Sequence, residues 1–223
     1  MIGNVPVRDA ATVIVLREGP SGREVLMGRR GAGAAFMPGK RVFPGGAVEA
    51  ADASVELAEP LAEPCARRLA DGVGDELARA LVVAAIRELW EETGLVLGKR
   101  GRWASPPPGW EGFAGTGFRP AAGAARFVFR AVTPPGRPRR FDARFFLVPA
   151  EALAPGCEGF ARADGELSDL GWLPVAEARR QDLPFVTELA LAEAMRIGPL
   201  GAAPPPPCIL NEESGTRAFR LEP

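Results

Sequence analysis

The chain has 223 residues, 47% of them hydrophobic and 25% charged, with 27 Lys and Arg against 28 Asp and Glu. That length suits one sizeable domain with its own core, or at a stretch two small ones, and a net charge of −1 provides no basic field to gather nucleic acid. Histidine is absent, which removes Ser-His-Asp and Cys-His chemistry, imidazole metal ligands and histidine general bases together.

Residues 11–16 and 24–29 read as strands, joined by the turn Gly19-Pro20-Ser21-Gly22 into a hairpin. Between about 53 and 76, Glu59-Pro60, Glu63-Pro64 and Gly72-Val73-Gly74 interrupt any single long helix, so one or two short helices are expected over 54–70. This stretch reads either as a lid or as a surface elaboration. Next, Leu81, Ala85 and Leu89 form one i to i+4 row and Val82, Ile86 and Trp90 the next, an apolar stripe that must pack on something. Gly94 stands where a left-handed glycine would end that helix, and Leu95-Val96-Leu97 then reads as a short strand.

Residues 125–132 and 141–148 read as a second strand pair around the Pro134-Pro135-Gly136 turn. Residues 166–173 lead into a short helix over Val175 to Ala178, and Leu183-Pro184 opens an amphipathic helix reaching about Ile197. The tetraproline 204–207 is either a polyproline ligand or a stiff spacer before a terminal strand near 217–221. The longest apolar run, Ala80 to Ile86, is far too short to span a bilayer, and the N-terminus has no secretory pattern, so a cytoplasmic location is expected. Cys65, Cys157 and Cys208 are odd in number and contain no C-x-x-C pair, which argues against a disulfide framework and a zinc site.

The most informative stretch is Arg87-Glu88-Leu89-Trp90-Glu91-Glu92-Thr93-Gly94-Leu95. At about 100° per residue, Glu91 and Glu92 fall about 60° to one side and about 40° to the other of Glu88, so three carboxylates share one wedge of the helix surface. Like charges at this spacing repel. A bound Mg²⁺ or Mn²⁺ would reverse that repulsion, since hard oxygen ligands suit these ions and phosphates commonly complete their coordination. Without histidine, hydrolysis at neutral pH must rely on carboxylates and a metal-acidified water.

The same string resembles the second half of the Nudix hydrolase signature, Arg-Glu, an aliphatic residue, any residue, Glu-Glu, any residue, Gly and an aliphatic residue. The first half, a glycine, five residues and a glutamate, resembles Phe43-Pro44-Gly45-Gly46 followed by Asp52. Aspartate stands in place of glutamate there, and a long insertion separates the halves. The resemblance implies an α/β fold, an α/β/α sandwich with a mixed sheet, spanning 1–223 as one unit with an insertion at about 53–76. It implies a diphosphatase in which Glu88, Glu91 and Glu92 bind Mg²⁺ or Mn²⁺ and Arg87 orients them. Glu166 resembles the further glutamate that many members supply as ligand or base, with Asp169 as the substitute candidate.

For the substrate, the resemblance implies a nucleoside diphosphate linked to a group X. Gly39-Lys40-Arg41-Val42-Phe43-Pro44-Gly45-Gly46 resembles the motif of a coenzyme A-cleaving branch, although Ala35 stands where that branch has a second arginine. Coenzyme A or an acyl derivative is therefore the first expectation, then ADP-ribose or a nucleotide sugar, then a dinucleoside polyphosphate. A nucleotide-sensing module without catalysis is the reading from another class. Arg29, Gly46, Arg140 and Phe141 are the candidate substrate contacts, since arginine forks bind phosphate oxygens bidentately. Trp103, Trp110 and Phe118 either stack an adenine or pin a loop to the core. A small-molecule substrate is the expected partner, with no nucleic acid and no membrane, and a homodimer is compatible with the pattern.

Overall fold

In the computed structural model, which describes residues 5–34, 36–155, 159–198 and 202–221, side-chain alternation along the first long strand divides the molecule into layers. Along β1 (Val7–Gly19), Ala11, Val13 and Val15 enter one buried cluster, while Ile14 and Leu16 enter a second on the opposite face, as the two-residue period of a strand requires. Helix α1 (Cys65–Ala70) and helix α2 (Gly74–Thr93) cover the first face through Leu69, Leu81, Val82, Ala85, Ile86 and Leu89. The second face is covered late in the chain.

The remaining elements in order are β2 (Gly22–Arg30), β3 (Arg41–Val42), β4 (Gly45–Ala47), β5 (Gly98–Arg100), α3 (Glu111–Ala114), β6 (Phe118–Pro120), β7 (Arg126–Val132), β8 (Arg140–Pro149), β9 (Leu167–Pro174), α4 (Val175–Ala178), α5 (Phe185–Ile197), β10 (Pro207–Glu212) and β11 (Gly215–Arg220). Ala190, Leu191 and Ala194 of α5 close the second cluster. Among the described residues the main sheet runs β11-β10-β7-β8-β1-β2-β3, with β4 added to β1 and β9 to β2. β1 pairs with β8, and β10 with β7, in parallel; the other pairs are antiparallel. The expected sandwich with a mixed sheet is therefore present.

One detail of register positions the site. β1 pairs with β2 only through residues 16–19 against 22–25, and further back β4 takes the same edge at Ala10–Thr12. The two strands thus diverge, and Pro44-Gly45-Gly46 fills the gap beneath the last turns of α2.

The segment between 53 and 76 alternates exposed residues with side chains that reach the core. Val55, Leu61, Cys65 and Leu69 join the core cluster under α2, and Glu59 makes a bridge to Ala121. Its one α-helix is α1, preceded by a 3₁₀ turn at Ala50–Ser54. Leu95, Val96 and Leu97 are buried but form no strand; the Val96 and Leu97 carbonyls accept Ala154 N–H and Ala121 N–H instead, and β5 begins only at Gly98. Trp110 and Phe118 are buried with Phe113, and Trp103 packs on Trp110 at 5.6 Å, so these aromatics pin a loop to the core rather than offer a stacking face.

The proline run leads directly into β10, which the sequence did not reveal. Pro207 occupies the first strand position, where a missing N–H is tolerated. The β10–β11 hairpin is tied to α5 by Glu193, which accepts from both Arg196 and Arg220. Cys65 and Cys208 are buried free thiols, and Cys157 and Ala35 lie outside the described residues. No helix among the described residues is long and apolar enough to cross a membrane.

Candidate active site

Helix α2 stops where its sequence says it should. Gly94 adopts φ 74°, the left-handed value that favours glycine, and its N–H closes the last turn on Trp90 O at 2.7 Å. The final two turns lie over β4. A Cβ built on Gly46 would stand 2.3 Å from Glu88 Oε1, so the carboxylate occupies the space a side chain would need. Glu92, 1% exposed, accepts Gly45 N–H at 2.8 Å. Glu88 and Glu92 therefore face the glycine pair together.

Glu91 turns the other way. Arg87 Nη1 lies between Glu88 and Glu91, at 2.7 and 3.0 Å, and Asp164 N–H donates to Glu91 O. The other side of the Arg87 guanidinium grips Asp52 through Nε and Nη2, at 3.0 and 3.1 Å, and reaches Ala47 O at 3.0 Å. Asp52 is 1% exposed and also accepts Glu49 N–H in a capping box. The aspartate thus anchors the arginine across the insertion.

Burial dominates the electrostatics. It pushes the Glu88 carboxyl up to about 7, with Glu91 and Glu166 adding to the rise and Arg87 opposing it. Burial pushes Glu92 further, to about 9; Glu88 and Glu166 add to this, while the Gly45 hydrogen bond and Arg30 oppose it. Glu91 is raised too, by burial first, against the pull of Arg87. For Arg87, burial disfavours the cation, but Asp52, Glu88 and Glu91 outweigh it and leave its pKa raised. Buried carboxylates with so few cations among them are a costly arrangement for a purely structural role.

Glu166 lies at the rim, its charge felt by both Glu88 and Glu92, and Arg30 Nη2 holds it at 2.7 Å. Arg29 and Asp169 form a separate pair at 3.2 Å; Arg29 also donates to Gly39 O, and the Asp169 carbonyl accepts from Arg41 at 2.6 Å. Glu166, rather than Asp169, is the carboxylate coupled to the α2 glutamates. Arg140 corrects an expectation. It is 9% exposed and donates to Thr133 O and Asn211 O, so its guanidinium holds β10 to the sheet. Phe141 packs edge-on against Phe36 at 5.0 Å. Both sit opposite Val7 and Arg8 on β1, whereas Gly46 sits opposite Ala11.

An all-oxygen donor set with two buried, mutually repelling carboxylates fits Mg²⁺ or Mn²⁺ and not a soft metal. As they stand, however, no three acidic side chains among the described residues gather tightly enough to enclose an ion. Arg87 pairs with Glu88 and Glu91, and Arg30 pairs with Glu166.

The family profile described as NUDIX domain matches residues 6–192. The chain belongs to the Nudix family. The Nudix hydrolases are enzymes that act on diphosphate linkages, and the α/β fold with a mixed sheet and flanking helices is theirs. A crystal structure of a NUDIX hydrolase from Alicyclobacillus acidocaldarius superposes with a TM-score of 0.62 at 28% identity, covering 84% of this chain and 90% of that one. A putative nudix hydrolase 7 from Caenorhabditis elegans is 37% identical over 94 residues, 42% of this chain, and the match spans only 24% of that protein's length.

Two residues around these glutamates carry no role from the sequence alone. Arg30 follows Arg29 directly, and the strand period sends neighbours to opposite faces; that alternation was the available signal. Asp52 was recognisable only by its place in a signature whose spacing is broken by the insertion.

Proposed function

We propose that this protein is a Mg²⁺- or Mn²⁺-dependent hydrolase that cleaves the diphosphate bridge of a nucleoside diphosphate derivative, with coenzyme A or an acyl-coenzyme A as the first substrate. The observation that carries the reading is the pairing of Glu88 and Glu92 against Gly46 and Gly45. This pairing brings the two halves of the signature face to face beside backbone without side chains.

In this reading Glu88 and Glu92 are the principal metal ligands, with Glu91 and Glu166 as further carboxylates at the rim. A bound divalent cation supplies Lewis acidity to the phosphate oxygens and acidifies a water at neutral pH. Arg87 orients Glu88 and Glu91, and Asp52 fixes Arg87. Gly46 leaves room for close approach. Glu166, exposed and coupled to both inner glutamates, is the carboxylate best situated to accept a proton from water. The whole of 1–223 is read as one unit, supported by the core-packed insertion and the Glu193–Arg220 tie.

Coenzyme A is favoured by the run from Gly39 to Gly46, whose glycine spacing resembles that branch, and by Arg29, which binds Gly39 O and so ties the strand end to this loop. The reading does not rest on Arg140 or Phe141. The test is direct: purified protein with Mg²⁺ is offered coenzyme A species, ADP-ribose and dinucleoside polyphosphates, and products are identified by mass. Cleavage of coenzyme A to products carrying the split diphosphate supports the proposal. Preference for ADP-ribose would move the substrate to the next choice, and no turnover of any diphosphate would end the catalytic reading.

A further inference from the structure

Arg30 occupies a position that the catalytic scheme above does not use. It ends β2, where its N–H donates to Lys40 O and its own carbonyl accepts from Gly39 N–H, so its backbone is fixed on both sides. Its register partner on β9 is Leu167, the residue after Glu166. The side chain is 21% exposed, and Nη2 holds Glu166 Oε1 at 2.7 Å. The same cation acts on Glu92, where it opposes the effect of burial. Its Nε is buried and has no acceptor among the described residues.

One cation therefore acts on both carboxylates, and it pairs with the outer one. Glu166 is thereby withheld from Glu88 and Glu92, although its charge is felt by both. A guanidinium is suited to this role because it stays charged and keeps a fixed fork, so it can exchange one oxygen partner for another without losing its own place.

We propose that Arg30 is a positioning residue: it parks Glu166 in the metal-free protein and surrenders it when a divalent cation enters between Glu88, Glu92 and Glu166. The inference rests on the metal-site reading given above. Opening the Arg30–Glu166 pair opposes metal binding, and it makes uptake of the ion and inward movement of Glu166 one coupled event. Once Glu166 is released, Arg30 is left with free donors at the rim of the site, where oxygens of a diphosphate are suitable acceptors.

The test measures Mn²⁺ binding by calorimetry and by the loss of free-ion paramagnetic signal, without substrate, for the parent, Arg30→Met, Arg30→Lys, Glu166→Gln and the Arg30→Met/Glu166→Gln double variant. Removing the parking cation is expected to tighten Mn²⁺ binding roughly threefold to tenfold in Arg30→Met, the scale of one partly screened charge near the ion. Arg30→Lys is expected to stay near the parent. In the Glu166→Gln background the same Arg30→Met change is expected to lose most of its effect, since there is no longer a carboxylate to release. Equal tightening with and without Glu166 would reduce Arg30 to a generic repulsive charge, and unchanged or weaker binding in Arg30→Met would remove its role altogether; either result overturns the proposal. A parent that takes up no Mn²⁺ overturns the metal-site reading as well, which separates the two failures.

Discussion

Arg87 and Asp52, 35 positions apart in sequence, form a two-pronged ion pair with Asp52 1% exposed, at 3.0 and 3.1 Å. The pair is buried, so removing Asp52 strips the acceptor from Nε and weakens the hold on Nη2 in the interior, while Nη1 keeps Glu88 and Glu91. Asp52→Ala should cost about 3 to 5 kcal/mol of stability and should also reduce turnover, because Arg87 then lacks the partner that aims its Nη1 at Glu88 and Glu91. Denaturant unfolding alongside an activity assay tests both. Loss of neither would mean the pair is ornamental.

Substitution of Gly46 separates site from fold. Gly46→Ala places a methyl where Glu88 Oε1 now sits, with 2.3 Å between them, so the carboxylate must move. Circular dichroism should remain that of the parent while Mn²⁺ affinity and turnover fall together. Normal metal affinity in this variant would show that Glu88 is not where the ion is held.

The two inner glutamates should matter more than the outer one. Glu88→Gln and Glu92→Gln are each expected to lower kcat by about 10²-fold or more, the scale of removing a charge that stabilises a phosphoryl-transfer transition state. Glu91, with its side chain 39% exposed and turned towards Arg87, should give a smaller loss. A Glu91→Gln variant slower than Glu92→Gln would invert the assignment.

The raised carboxyls make a claim about pH. Folded values of about 7 for Glu88 and about 9 for Glu92 lie above the usual 4.5, so the folded state keeps its protons longer than the unfolded chain. The stability they contribute is fully present below about pH 4.5 and is lost as pH rises through about 7 and then about 9. In chelator the melting temperature should therefore fall across that window, and Glu92→Gln should flatten the fall. Added Mn²⁺ should stabilise more strongly as pH rises, since it binds the ionised form. A melting temperature indifferent to pH in chelator would contradict the burial argument.

The insertion should behave as core. Leu61 is 6% exposed within the cluster that supports α2, and Leu61→Ala should cost about 2 to 5 kcal/mol, visible as a lowered unfolding midpoint.

Much of this was legible from residue patterns, and the gaps have physical reasons. The rows Leu81-Ala85-Leu89 and Val82-Ile86-Trp90 announced α2, and the contiguous run from Arg87 to Gly94 announced the family, because both depend on spacing within one element. Leu95-Val96-Leu97 misled because a short apolar run looks the same as a buried strand or as buried irregular chain. Arg140 looked free to bind phosphate only because β10 was hidden behind prolines; once that strand lies beside β7, Asn211 O is within its reach. Helix angles put Glu91 in one wedge with Glu88 and Glu92, but they could not show that its carboxylate shares Arg87 Nη1 with Glu88.

Because Val55, Leu61, Cys65 and Leu69 are sealed beneath α2, the stretch joining the two halves of the signature cannot loosen without exposing the underside of the helix that carries the glutamates. Amide hydrogens from 65 to 70 should exchange with deuterium nearly as slowly as those of α2 itself. Excising the stretch to restore a shorter spacing would leave a hole in the protein rather than a trimmed loop.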